Sequence, residues 1–165
     1  MQKVFRKLFG KPCWNVMHGY SSFLAFEFGK PHLEIQGPRS TRRALSPRVR
    51  QFLSRRHVMV HGDWHLWIYC CHWSILQNGK RLATSSSKPT QIAYAATQLQ
   101  GQALINVSVD PNRGSSRFKF DFGGELETRK FDNSSEQWLL YDPSKRVLSM
   151  RPDGQFSYCR ETLPG

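Results

Sequence analysis

The chain has 165 residues, of which 39% are hydrophobic and 13% aromatic, and carries a formal net charge of +12. This length fits a single domain, residues 1–165, able to bury a core, and the aromatic share favours strands. No apolar run approaches the roughly 18 residues of a membrane-spanning helix.

The opening stretch "MQKVFRKLFGKPCW" has no continuous apolar segment and no small-residue cleavage site, so no secretory signal is expected and the cytoplasm is the expected compartment. Residues 1–60 hold twelve Lys and Arg against Glu27 and Glu34, a balance of +10, whereas residues 61–165 hold twelve against ten acids, a balance of +2. The basic character therefore belongs to the first part of the chain and implies an anionic partner. Cys13, Cys70, Cys71 and Cys159 do not form a disulfide framework in a chain of this length, and they read as free thiols of a reducing compartment.

In chain order, residues 2–9 suggest a short basic helix. "FEFGKPHLEI", Phe26 to Ile35, then reads as a hairpin: alternation puts both Phe rings on one face of a strand, and a Gly-centred turn starts a second strand. The same phrase returns as "FDFGGELET", Phe120 to Thr128, with one residue fewer in the turn. A Trp-containing strand follows each copy, "GDWHLWIYCCHWSIL" in the first and "SEQWLLYD" in the second. These parallels predict an internal duplication over residues 20–77 and 103–159, the first copy carrying an insertion at 37–56.

Within that insertion Ser46 is a candidate N-cap and Pro47 a first helical residue, with Val49, Phe52 and Leu53 at helical spacing. His57 to His61 reads as a strand, Gly62-Asp63 as a tight turn, and Trp64 to Gln77 as one long strand closed by the turn "QNGK". The clearest helix is "KPTQIAYAATQLQG", capped by Thr90, with Ile92, Ala95, Ala96 and Leu99 on its apolar face and Gly101 as its stop. From Ala103 the chain becomes a meander, turned at "DPNRGSS", "DPSK" and "PDG". The fold expected is mainly β, of the α+β kind: an antiparallel bent sheet, barrel or sandwich of two related halves, with one or two short helices.

The densest group of chemically useful side chains is "HVMVHGDWHLWIYCCHW". Zinc needs about four ligands converging within roughly 2.0–2.3 Å of one point, and no C-x2-C or helical H-x3-H supplies them. Strand alternation puts His65, Trp67, Tyr69, Cys71 and Trp73 on one face, so His57 and His61, across the expected turn, are the residues able to join His65 or Cys71. No metal and no cofactor are expected. No G-x-S-x-G elbow, Gly-rich phosphate loop or activated cysteine occurs, and the chain is read as a non-enzyme. Glu34 and Glu127, in matching copies, are expected on outward strand faces.

The strongest functional signal is the basic patch Arg39, Arg42, Arg43, Arg48, Arg50, Arg55 and Arg56, uninterrupted by any acid. It suits an acidic protein partner, where complementary charge speeds association. Alternatively it grips nucleic acid, with Trp67 and Tyr69 stacking on bases. No membrane partner is expected.

The stretch "LQGQALINVSVDP…FKFDFGGELETRKFD…SEQWLLYDPSKRVLSMRPDG", residues 99–156, and more weakly residues 20–36, resembles small uncharacterised bacterial β-rich domains akin to immunity proteins of polymorphic toxin systems. Their pattern is a strand, an F-x-F-G-x2-L hairpin, an E-x-W strand, matched by Glu136 and Trp138, and a closing turn, matched by Pro152 and Gly154. The resemblance implies a non-enzymatic binding or inhibitory protein of immunity or anti-defence type, with no catalytic residues.

Overall fold

Strand alternation sets the architecture of the computed structural model, which describes residues 1–19, 21–39 and 46–160. In chain order the elements are α1 (Gln2–Phe5), β1 (Cys13–His18), β2 (Leu24–Gln36), α2 (Pro47–Leu53), β3 (His57–Ile68), β4 (Cys71–Gln77) and β5 (Lys80–Thr84). Then come α3 (Pro89–Leu99), β6 (Leu104–Asp110), β7 (Ser115–Phe120), β8 (Gly124–Lys130), β9 (Trp138–Tyr141), β10 (Arg146–Met150) and β11 (Phe156–Arg160). The strands form two antiparallel sheets, ordered β1-β2-β3-β9-β10-β11 and β5-β4-β8-β7-β6, and neither closes into a barrel. No helix among the described residues is long and apolar enough to cross a membrane.

The two inner faces share one aromatic core. Leu24, Phe26 and Phe28 of β2 and Trp64, Leu66 and Ile68 of β3 alternate inward from the first sheet, against Phe118, Phe120, Leu126, Trp73 and Ile75 of the second. Trp138 sits edge-on to Phe5 and Phe118, with centroids 5.6 and 5.8 Å away, and its indole N–H donates to Ser116 Oγ at 2.9 Å. The basic N-terminal segment therefore anchors the core through Phe5 and Leu8, neither of which touches water. Helix α3 packs on β1, β4 and β5 through the Ile92, Ala95, Ala96 and Leu99 face expected from spacing. It begins at Pro89 with Lys88 as N-cap and no side-chain cap, so Thr90 lies inside it; Gly101, at φ +83°, ends it.

The two F-x-F-G phrases diverge. Phe26 and Phe120 stack across the core with centroids 6.3 Å apart, but Phe28 is buried while Phe122 is 70% exposed in a turn. Both following glycines are left-handed, Gly29 at φ +76° and Gly123 at +79°. In the second copy this makes the β7–β8 hairpin, pinned by the Asn78 N–H donating to the Gly123 carbonyl at 2.8 Å. In the first copy there is no hairpin. Gly29 and Lys30 form a bulge opposite Asp63, and β2 runs on along β3. Gly62-Asp63 is accordingly no turn but the strand facing that bulge.

The expected long strand from Trp64 is also broken, at Tyr69-Cys70, where the chain passes from one sheet to the other. The phase of alternation shifts there. Trp64, Leu66 and Ile68 face the core before the break and Cys71, Trp73 and Ile75 after it.

Among the described residues, strand β2 past Phe28 has no strand partner but β3, and β3 meets β9 only from His65 to Ile68. The remaining segments, Pro31 to Gln36 and His57 to Gly62, form a two-stranded arm reaching beyond the sheet towards α2. At its root a Cβ on Gly62 would overlap the Phe28 backbone, whereas one on Gly37 meets nothing within 4 Å. Gly62→Ala is expected to cost about 1–3 kcal/mol or more through overpacking, and Gly37→Ala to stay within about 0.5 kcal/mol. Urea unfolding of the two variants beside the parent chain measures both.

Candidate functional site

Glu27 lies between Phe26 and Phe28, so its side chain leaves β2 on the face opposite the core. It is nevertheless 0% exposed. A carboxylate withdrawn from water needs donors, and three converge on it. The Gly62 N–H donates to Oε2 at 2.8 Å, which the absence of a side chain at Gly62 permits. The Nδ1 atoms of His61 and His65 lie 2.9 and 2.7 Å from the other oxygen, Oε1. Against an ionised carboxylate both nitrogens act as donors.

Residues four apart on a flat strand stand about 13 Å apart, yet the His61 and His65 rings meet edge-on with centroids 5.1 Å apart. The bulge at Gly29-Lys30 and the close passage at Gly62 supply the bend, and bulges commonly re-aim side chains in this way. Both rings cap the carboxylate and keep 18% and 19% of their own surface in water. Tyr141, from β9, lies beside His65 with ring centroids 5.6 Å apart, and Glu34 Oε2 stands 3.6 Å from His61 Nε2. Burial by itself raises the Glu27 carboxyl. The hydrogen bond and charge of His65, with the Gly62 N–H and the His61 hydrogen bond, outweigh it and leave the group below its ordinary value.

Of the four side chains singled out along the sequence, the fold brings together two. His61 and His65 share the Glu27 carboxylate. His57 sits at the arm's far end, its Nε2 2.6 Å from the Phe52 carbonyl and its ring stacked on Phe52 at 3.9 Å. Cys71 belongs to β4 and faces the core; burial pushes its thiol up to about 12, and its Sγ points to the Gln137 carbonyl at 3.4 Å. Glu27 was not among the residues singled out from the sequence, whereas Glu34 and Glu127 stand on exposed or half-exposed strand faces as expected. Those two glutamates lie in different sheets, and Glu127 pairs with Arg117. A lone acid inside an aromatic strand was the available signal.

The basic patch is partly described. Arg39, Arg48, Arg50, Arg55 and Arg56 are exposed on or beside α2, and no ion pair engages them among the described residues. Arg42 and Arg43 lie outside the described residues. Ser46 caps α2 as expected, accepting from the Val49 N–H, but the helix buries none of its residues. Trp67 and Tyr69 are half-buried rather than free, packed on each other at 4.7 Å and both against Phe23. They are poor stacking platforms for bases. On the outer face of the second sheet a polar hollow of about 350 Å³ holds Arg113, Arg117 and Arg129, with Arg113 paired to Asp110 and Arg117 to Glu125 and Glu127.

With its folded value lowered, Glu27 contributes stability above the unfolded carboxylate value of about 4.3, and that contribution is lost as pH falls through the folded value. Acid titration of stability in EDTA-containing buffer is expected to be flatter for Glu27→Gln below about pH 5. At pH 7 Glu27→Ala, which strands the Gly62 N–H, is expected to cost about 1–3 kcal/mol; equal urea midpoints for Glu27→Ala and the parent chain would contradict this.

No protein-family model, no curated protein and no solved structure matches the chain, so the reading of this surface rests on its own geometry.

Proposed function

We propose that the protein is a non-catalytic binding protein that docks an acidic protein through the β2–β3 arm and blocks it, in the manner of an immunity or anti-defence protein. The observation behind this reading is an aliphatic strip in the arm's register. Leu33 faces Val60 and Ile35 faces Val58, so all four side chains share one face. They are 65%, 46%, 64% and 57% exposed. Just beyond them, α2 carries exposed Phe52 and Val49 among arginines without acidic partners among the described residues.

Exposed ion pairs contribute only about 0–1 kcal/mol each, so the arginines steer encounter and select an acidic surface while burial of the strip supplies the affinity. A second copy of the chain is a poor occupant, because two arginine-rich tips would repel. Nucleic acid makes no use of the aliphatic strip, so the protein partner is preferred.

The test is affinity capture followed by calorimetry on the purified pair. The expected partner is acidic, binds one to one, and loses at least tenfold in affinity with Ile35→Ser/Val60→Ser. Replacing Arg48, Arg50, Arg55 and Arg56 by Gln should slow association more than it speeds dissociation. An affinity unchanged by Ile35→Ser/Val60→Ser contradicts the reading. So does tight binding to a DNA or RNA oligonucleotide that ignores the strip variants and falls by about 0.9 log units per log salt for each phosphate contact.

A further inference from the structure

We infer that Glu27, His61 and His65 form a binding site for one divalent transition-metal ion of the zinc class, at the root of the arm. The inference is independent of the docking reading, because it concerns the opposite face of the arm, where Glu34 and His61 alternate with the strip residues, and a different chemistry.

The donor set comes first. Two imidazoles and one carboxylate favour borderline cations such as zinc, cobalt or iron(II) over magnesium and calcium, which take oxygen ligands. Convergence is the second observation. One ligand atom from each residue lies within 4.8 Å of the other two, and both Nδ1 atoms already aim at a single carboxylate oxygen. In a tetrahedral site with bonds of about 2.0–2.1 Å, neighbouring ligand atoms stand about 3.3 Å apart. The 2.7 and 2.9 Å separations therefore need to open by only about half an ångström.

The surroundings are arranged for the same purpose. Oε2 of Glu27 is already held by the Gly62 N–H, so Oε1 is presented as a single ligand atom. Metal-bound histidines generally direct their second ring nitrogen to a carboxylate or carbonyl. Glu34 Oε2 stands 3.6 Å from His61 Nε2, and its side chain is half exposed, its other oxygen accepting from the Gln36 amide at 2.9 Å. In the metal-free form the hydrogen bond to Glu27 keeps a proton on Nδ1 of each ring. On binding, Nδ1 gives its lone pair to the metal and the proton resides on Nε2, where that of His61 faces Glu34. Three protein ligands leave a fourth position open, and the partly exposed imidazoles put it on the solvent side. That position accepts water, a small ligand or a donor from another protein.

The experiment is titration of the full-length, EDTA-stripped chain with cobalt(II), read from its visible absorption, followed by competition with zinc against a chromophoric chelator. One equivalent of cobalt should develop the intense bands of a four- or five-coordinate site, and zinc should bleach them. His61→Ala and His65→Ala should each abolish the bands at one equivalent. Glu34→Gln should weaken binding about 10–100-fold. His57→Ala, which alters a histidine tied to Phe52, should bind like the parent chain. Should His65→Ala fail to fold, judged by its circular dichroism, His61→Ala and Glu34→Gln carry the test. Absence of saturation near one equivalent, or equal binding by the parent and either His61→Ala or Glu34→Gln, overturns the inference.

Discussion

A carboxylate kept from water, Glu27, is the constraint around which the first sheet is organised. Removing one ion from water costs several kcal/mol even after relaxation, so Glu27 demands donors on every accessible side. The Gly62 N–H supplies one, which requires a residue without a side chain where β3 passes the Phe28 backbone. The imidazoles of His61 and His65 supply the others, which requires a strand bent enough to bring residues four apart onto one oxygen. The Gly29-Lys30 bulge provides that bend, and the Lys30 N–H is tied to the Asp63 carboxylate at 3.1 Å. One buried acid thereby explains a glycine, a bulge and two histidines.

The same local geometry separates two chemistries along the arm. Up to Phe28 and Trp64 the strands are part of a sheet whose inner face is core; beyond them they pair only with each other among the described residues. Among the described residues their aliphatic pairs are left exposed and the arginines near α2 have no acids to meet. A surface of this composition is suited to recognition, whereas the root, dry on one side and capped by imidazoles, is suited to holding a cation. The two sheets and α3 provide the rigid base for both.

How much of this was legible in the sequence depends on the range of the interactions involved. Helix α3 and the strands after Ala103 answer to local rules, namely 3.6-residue and two-residue periodicity and turns such as Asn78-Gly79, both at positive φ. The F-x-F-G phrase carries a local message too, because Gly29 and Gly123 are both left-handed. The path of the chain after each glycine is decided by distant partners. The loop at Gly123 is held by Asn78 and by the Gln77 amide donating to the Phe122 carbonyl at 2.6 Å, while Gly29 lies along a long β3 that keeps the chain extended. Identical words therefore give a hairpin in one place and a bulge in the other. For the site, His61 and His65 were visible as candidates, but pairing them with Cys71 assumed an unbroken strand through Tyr69-Cys70. Glu27 escaped notice because its partners are 34 to 38 residues away and the register joining them is set by the bulge.

The most direct test of the account is the tautomeric state of the two imidazoles, read from long-range proton–nitrogen NMR correlations of the metal-free chain at neutral pH. Both His61 and His65 are predicted to carry their proton on Nδ1, donated to the Glu27 carboxylate. A bare Nδ1 on either ring would mean that the carboxylate is not held as described.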